Sequence, residues 1–368
     1  MNDPPRFDPD AFFGPDAAGR VFARETQSVW HSIVAASDDA GLQRASADIQ
    51  ALTHRLIEHL PAEALTRLLS TLNDTLTRRV IELNCASAPS NTVRWCWIAL
   101  GSEGRHEQTF ASDQDNGIIF AGSGTADELR EMLLPLALRI NQALAACGFP
   151  LCRGQIMASN PHCCLSVHEW RERFLNWIIE GDPQALLNAT IFFDLRPLSG
   201  ARDLAQGLRN WLAVNASDNP RFLFQMTENA LRREAPLGFL RNFVVEKRGE
   251  FAGTIDLKLN AATPFIDAAR IFGLACASRS SNSADRLRQA AEAHYLDMRE
   301  VEAWVRAFYF IQMLRLKNQQ RCRARGAVMH NHVDPNSLDA AERRALLNAL
   351  QQARALQKRL GQVFLRRI

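Results

Sequence analysis

The chain has 368 residues, of which 47% are hydrophobic and 23% are charged, and its formal net charge is +3. This balance excludes a disordered chain, and so small a charge does not indicate a nucleic-acid-binding surface. No basic segment followed by an apolar run opens the sequence, and no window is apolar enough to span a bilayer, so we predict neither a signal peptide nor a membrane partner. The eight cysteines show no repeating spacing, which predicts free thiols and a cytoplasmic location.

The N-terminal part reads as a tail followed by helices. Residues 1–16 are rich in proline and aspartate, and we predict a flexible tail there. Apolar residues then recur at helical spacing, which predicts a helical N-terminal segment over 17–88. The clearest series are Leu42, Ala45, Ile49, Leu52 and Leu56, and then Leu65, Leu68, Leu69, Leu72, Leu76 and Val80.

The pattern then changes, and we predict a small core of strands and helices over 89–190. Residues 93–100 and 116–122 are short, apolar and rich in β-branched and aromatic residues, which is typical of strands. Residues 127–148 carry an apolar stripe that predicts a helix, and residues 149–157 are interpreted as a third strand.

The rest of the chain is mostly helical in pattern, and we predict a helical domain over 191–368. Residues 189–200 are interpreted as a hinge before it, and polar loops at 249–265 and 325–337 interrupt its helices. The sequence thus predicts an α+β fold: a small mixed-sheet core flanked by an N-terminal helical segment and a C-terminal helical bundle.

The first chemistry-bearing motif, GSEGR, follows the first predicted strand. Gly101 and Gly104 allow the backbone to approach a ligand closely, and the N–H groups around Ser102 would suit a phosphate. Arg105 lies where its planar cation could pair with phosphate oxygens. We therefore predict a nucleotide-phosphate site formed by Gly101, Ser102, Gly104 and Arg105.

The second motif is Asp113-Gln114-Asp115, directly before the second predicted strand. Residues i and i+2 of an extended segment point to the same face, so Asp113 and Asp115 should lie side by side. Two neighbouring carboxylates call for a cation, and hard oxygen ligands favour Mg²⁺ or Mn²⁺. The two aspartates are thus predicted metal ligands and catalytic residues, for phosphoryl or nucleotidyl transfer.

The string GSEGRHEQTFASDQD (101–115) resembles a bacterial nucleotidyltransferase family of the polymerase-β superfamily. This family is often fused to CBS and cyclic-nucleotide-binding domains and is distantly related to the PII uridylyltransferase and the glutamine-synthetase adenylyltransferase. The resemblance continues through MASNP (157–161), FFDLRPLSG (192–200) and IDLKLNAATPFIDAARIFGL (255–274).

The resemblance implies a metal-dependent enzyme that moves a nucleoside monophosphate from an NTP to an acceptor and releases pyrophosphate. It also implies that the helical region over 191–368 binds the acceptor, a protein or a small molecule. The low net charge argues against a nucleic-acid acceptor. Neither the acceptor, the preferred NTP nor the oligomeric state follows from the sequence.

The superfamily usually supplies a third carboxylate from a later strand, and the segment 149–157 contains none. Asp194 and Glu169 are the candidates for this role. The gap leaves an alternative function open, namely a nucleotide-binding regulatory or protein-interaction module without catalysis.

Several other polar residues remain open to two readings. Lys258 is either a surface lysine or a contact to nucleotide or acceptor. Glu103 and Glu107 are interpreted as caps of a helix start. The run His162-Cys163-Cys164 does not match a zinc pattern and is predicted to contain buried thiols, and residues 330–332 are predicted to form a polar loop.

Overall fold

The computed structural model describes residues 7–85, 93–181, 186, 190–238 and 242–365. The chain forms two compact units, one containing Met1–Trp170 and Arg196–Gln206 and the other containing Arg171–Leu195 and Gly207–Ile368. The first six residues of the predicted tail and the predicted boundary at 88 lie outside the described residues. Most of the predicted N-terminal segment and core therefore belongs to a single unit.

Three helices open the first unit, as the apolar spacing predicts. They are α1, Ala17–Ala35, α2, Asp39–Leu56, and α3, Ala62–Cys85. Aspartate side chains begin the first two, because Asp16 accepts a hydrogen bond from Gly19 N–H and Asp38 accepts one from Gly41 N–H, each at 2.7 Å. Before them, the ring of Phe7 stacks on Trp30, so this part of the predicted tail has packed side chains.

A small mixed sheet follows, which confirms the predicted α+β fold. Its strands are β1, Val93–Ala99, β2, Asn116–Gly122, β3, Cys164–Ser166, and β4, Arg196–Gly200. The order is β3-β2-β1-β4, with β1 antiparallel to both β2 and β4 and with β2 parallel to β3. The first two strands match the predicted segments.

The sheet also corrects two expectations. The strand predicted over 149–157 is wrong, because this stretch is a loop with a turn at Arg153 and Gly154. The stretch interpreted as a hinge contains the edge strand β4, which pairs with β1. Pro197 argues against a strand in the sequence, because proline cannot donate a hydrogen bond to a neighbouring strand. Since β4 is at the edge of the sheet, it tolerates this proline.

Two helices connect the sheet strands near the candidate site. A single helical turn, α4, Gly101–Gly104, follows β1, and a long helix, α5, Ala126–Ala146, follows β2. The long helix begins with a capping box, in which Thr125 and Glu128 satisfy each other's backbone N–H groups. The helix predicted over 127–148 is thereby confirmed. The next helix is α6, Val167–Ile179, directly after β3.

The C-terminal region is helical, as predicted. Its helices are α7, Arg202–Ser217, α8, Pro220–Leu231, α9, Thr263–Ala275, α10, Ser283–Glu292, α11, Met298–Ala324, and α12, Ala340–Phe364. A short ribbon, β5, Ile255–Asp256, and β6, His332–Val333, joins the two loops predicted there. Fully buried rings of Phe265, Phe272 and Phe308 form part of its core. In the described part of the chain, no helix combines the length and apolar character required to cross a membrane.

Candidate active site

The structure brings Asp113 and Asp115 together immediately before β2. A carboxylate oxygen of each lies within 4.8 Å of the other and of the sulfur of Cys152. Asp115 is buried, whereas Asp113 is half-buried. Two acids so close repel each other in the absence of a cation, so the pair forms a site of concentrated negative charge.

Buried amide side chains from residues that alternate with the two aspartates hold this segment in its orientation. Gln114 and Asn116 alternate with the two acids and turn toward Asn141 of α5. Asn141 Nδ2 donates to Gln114 Oε1 at 2.7 Å and to Asn116 Oδ1 at 3.0 Å. Because all three amides are buried, breaking these hydrogen bonds would leave unsatisfied polar groups in the core.

Cys152 reaches the aspartates from the loop that the sequence misassigns as a strand. Its sulfur lies within 4.8 Å of a carboxylate oxygen of Asp115. Burial raises the pKa of the Cys152 thiol, and the negative charge of Asp115 adds to the increase. No sequence pattern singles out this cysteine, since it lies 37 positions after Asp115 in the chain numbering and reaches it only through the fold.

The glycine-bearing turn lies next to Asp115. Leu100 N–H at the end of β1 donates to Asp115 O at 2.8 Å, and the turn begins at the following residue. Gly101 has φ of 52°, a left-handed conformation that a side chain would strain. Gly101 and Gly104 are buried, whereas Ser102 is partly exposed. The first N–H groups of a helical turn have no partners within the turn, which is the feature that suits them to an anion.

Arg196 fastens this turn from β4, a role that the sequence does not suggest. Its guanidinium group pairs with both oxygens of Asp74 on α3, each at 2.8 Å. The same group donates to Glu103 O at 3.0 Å and to Gly104 O at 3.2 Å. Arg196 lies in FFDLRPLSG, a string that carried the resemblance without a known role. Its contacts show that it stabilises the glycine-bearing turn.

Glu103 is a buried acid within this network. Burial raises the pKa of its carboxyl to about 8, and the negative charges of Asp74 and Asp115 add to the effect while Arg196 opposes it. The interpretation of Glu103 and Glu107 as helix caps is wrong, because the turn begins at Leu100 without a side-chain cap. Glu107 instead pairs with Arg105, with 2.7 Å between Arg105 Nε and Glu107 Oε2.

Two basic residues, Arg105 and Lys258, are also predicted to bind the ligand. Arg105 is buried in its pair with Glu107, and its contact with phosphate stays a prediction. Lys258 belongs to the second unit and is exposed on a π-helical turn that follows β5. Its contact with nucleotide or acceptor stays a prediction as well.

Asp194, the candidate third carboxylate, also belongs to the second unit and is completely buried. Its oxygens accept from Arg270 Nη2 at 2.8 Å and from Arg286 Nη1 at 2.6 Å. Glu169 pairs with Arg130 in the first unit. These contacts give both acids structural partners, and a catalytic role for Asp194 stays a prediction.

Cys163 and Cys164 are 1% and 0% exposed, so the prediction of buried thiols is confirmed. The polar loop over 330–332 passes into β6, and the ring of His332 stacks on Phe251 with 3.8 Å between ring centroids.

The donor set of Asp113, Asp115 and Cys152 fits a divalent cation. Two carboxylates supply hard, negatively charged oxygens. Because the donor atoms lie within 4.8 Å of one another, small side-chain rotations would bring them to a common ion. Among the described residues, no other group of three histidine, cysteine or acidic side chains lies close enough to hold a metal.

Comparison with known protein families gives two adjoining matches. Residues 47–184 match the model described as "Putative nucleotidyltransferase DUF294", and residues 220–364 match the "Putative nucleotidyltransferase substrate binding domain". No curated protein matches the chain. The first match contains the aspartate pair, the glycine-bearing turn and Cys152. Since the two models together span most of the sequence, the chain belongs to this nucleotidyltransferase family.

Proposed function

We propose that this protein is a metal-dependent nucleotidyltransferase that moves a nucleoside monophosphate from an NTP to an acceptor and releases pyrophosphate. In this proposal, Asp113 and Asp115 hold Mg²⁺ or Mn²⁺ and are the catalytic residues. The bound cation would offset the charge of the triphosphate and of the departing pyrophosphate. The acceptor is a protein or a small molecule bound by the helical region.

The protein's own residues would position the nucleotide. The N–H groups of Gly101 and Ser102 are suited to triphosphate oxygens, because the turn is short and its carbonyls accept from Arg196. Gly104 N–H donates to Leu100 O at 2.8 Å, so Gly104 would contribute by letting the backbone approach the phosphates closely. Arg105 would add positive charge near the phosphates, and Lys258 is a further candidate for contact with the nucleotide. A turn that is already held in place loses little conformational entropy when it binds a ligand.

One observation carries the proposal. The carboxylates of Asp113 and Asp115 lie within 4.8 Å of each other, beside a glycine-bearing turn, in the part of the chain that matches the nucleotidyltransferase model. A cation bridging acids and triphosphate beside a strand end is the arrangement that metal-assisted transfer requires.

The test is transfer from each labelled NTP, with Mg²⁺ or Mn²⁺, to components of a lysate from the source organism. We expect label on an acceptor and release of pyrophosphate. Asp113→Asn and Asp115→Asn should each slow transfer by about 100-fold or more, the scale of losing one group that stabilises developing charge. Asp203→Asn, an exposed acid of the same unit, is the control and should keep full activity. Undiminished transfer by the double aspartate variant would refute the assignment.

A second candidate is a nucleotide-binding regulatory or interaction module without turnover. It is favoured by the composition of the cluster, which contains two carboxylates and a thiol among the described residues, whereas the resemblance implies three carboxylates. This candidate would be supported if the protein binds NTP in a metal-dependent way and the NTP stays intact with every lysate fraction offered as acceptor. Pyrophosphate release would exclude it.

A further inference from the structure

The loop that carries Cys152 is held firmly against the aspartate segment. Two backbone hydrogen bonds fasten it, from Gln114 N–H to Pro150 O at 2.9 Å and from Asn116 N–H to Ile156 O at 3.1 Å. Side chains of the same two residues add more, since Gln114 Nε2 donates to Phe149 O and Asn116 Oδ1 accepts from Ala158 N–H. The residues that orient the two acids therefore also fix the position of the thiol.

This arrangement differs from that of an ordinary buried cysteine. Free cysteines commonly fill space in protein cores, and Cys163, nearby in the same unit, does so at 1% exposure with a weak contact to a carbonyl. Cys152 instead directs its sulfur at two acids, one of which is only half-buried. A thiol that only fills space would not be expected to lie within 4.8 Å of two carboxylates.

The mixed donor set has a consequence for metal choice. Mg²⁺ prefers oxygen ligands only, whereas Zn²⁺ and Cd²⁺ accept thiolate together with carboxylate. Zn–S and Zn–O bonds of about 2.3 Å and about 2.1 Å place the donors around one ion closer together than 4.8 Å. Only small side-chain rotations would be needed, and the thiol would lose its proton to solvent when the ion binds.

We propose that Cys152 is the third protein ligand of a cation held by Asp113 and Asp115, and that it gives this site an affinity for thiophilic divalent ions such as Zn²⁺ and Cd²⁺. The segment in which the resemblance leads one to expect a third carboxylate thus supplies a sulfur ligand. The inference rests on the metal site of the proposed function, but it does not require nucleotidyl transfer. Zinc would compete with Mg²⁺ for the aspartates and inhibit an active enzyme.

The test is a titration of the metal-free full-length protein with Cd²⁺. The readout is the ultraviolet charge-transfer absorption of a thiolate–cadmium bond. We expect one equivalent of Cd²⁺ to produce this band, and excess Mg²⁺ to leave it in place. Cys152→Ser should remove the band and weaken Cd²⁺ binding by more than about 10-fold. Losing a residue that only supports a metal ligand already lowers metal affinity by about 10-fold, and a direct ligand should matter more.

Two further variants make the result specific. Cys322→Ser is the matched control, because Cys322 is also 7% exposed, and it should keep the band. The double variant Asp113→Asn, Asp115→Asn retains the thiol but lacks both carboxylates, so it should bind Cd²⁺ more weakly than the wild type does. A band that persists in Cys152→Ser, or wild-type affinity in the double aspartate variant, would overturn the inference. Thermal unfolding of each variant checks that it is folded.

A transfer assay separates this inference from the proposed function. If the wild type transfers label with Mg²⁺, and zinc inhibits Cys152→Ser much less than it inhibits the wild type, each relative to its own zinc-free rate, both proposals stand. If no variant shows transfer while the cadmium band behaves as described, only the enzymatic proposal fails. If transfer occurs and zinc inhibits Cys152→Ser as strongly as the wild type, only the assignment of Cys152 fails.

Discussion

Two buried acids, Asp115 in the first unit and Asp194 in the second, have neighbours of opposite charge. In the first, Asp115 faces a second carboxylate and a thiol, so negative groups are gathered together. In the second, Asp194 faces two guanidinium groups, and Arg286 also donates to the neighbouring carbonyl of Phe193 at 2.7 Å. One arrangement gathers groups that can bind a cation, whereas the other surrounds a carboxylate with the protein's own cations.

This difference separates binding sites from structural ion pairs. A buried carboxylate with two arginine partners is costly to disturb, because removing it leaves two positive charges in a medium of low polarity. Two acids that face each other destabilise the fold slightly until a cation arrives, and this cost is recovered as binding energy. The charge that faces an acid therefore decides which of the two roles its surroundings favour.

The largest effect that would test this comparison is expected for Asp194→Asn. The amide cannot offset the charges of Arg270 and Arg286, so we expect a loss of about 3–5 kcal/mol in the free energy of unfolding. Urea unfolding followed by circular dichroism measures it. Asp267→Asn is the control, because Asp267 pairs with the same Arg270 but its side chain is 20% exposed, and its loss should cost about 1 kcal/mol or less. Wild-type stability with abolished transfer in Asp194→Asn would instead support a catalytic role.

An intermediate effect is expected for Glu103→Gln. The pKa of Glu103 rises from the ordinary value of 4.5 to about 8 in the fold, so between these values the folded state binds a proton that the unfolded state has released. Wild-type stability should therefore fall as the pH rises across this window.

The amide of Glu103→Gln has no proton to release, so its stability relative to the wild type should increase from about pH 5 to about pH 8 and then level off. Unfolding in urea at a series of pH values, in the presence of a chelator, provides the comparison. Parallel pH profiles for the two proteins would show that Glu103 is ionised in the fold at neutral pH.

The smallest effect on stability is expected for Asp113→Asn in the presence of a chelator. Removing one of two facing charges relieves repulsion, so the variant should be as stable as the wild type or more stable by about 1 kcal/mol. Addition of Mn²⁺ should raise the melting temperature of the wild type and have little effect on the variant. Asp127→Asn, a surface acid, should keep the wild-type response to Mn²⁺. A destabilised Asp113→Asn would place Asp113 with the structural acids.

Local patterns in the sequence predict much of the fold. The helical spacing of leucines in α2 and α3, the two apolar strands β1 and β2, and the stripe of α5 each involve residues close together in the chain. Their burial depends on periodicity, which can be read directly. The same holds for the adjacency of Asp113 and Asp115, because two-residue spacing in an extended segment decides it.

Other features depended on pairing between distant segments and could not be predicted in this way. The strand β4 carries Pro197 and forms only because β1 offers it an edge. The apolar stretch 149–157 has the composition of a strand, yet its polar backbone groups pair with Gln114 and Asn116 as a loop. Whether an apolar segment becomes a strand is decided by the partners available to its backbone.

The sequence by itself therefore determined the α+β class, the glycine-bearing turn and the neighbouring pair of acids, because each follows from the local geometry of the chain. Only the tertiary structure brought Cys152 to those acids, held the turn with Arg196 and surrounded Asp194 with arginines. The physical reason is that charge and coordination act through space at a few ångströms. The residues that face a carboxylate can be far from it along the chain, as Arg196 is from Asp74, with 122 positions between them.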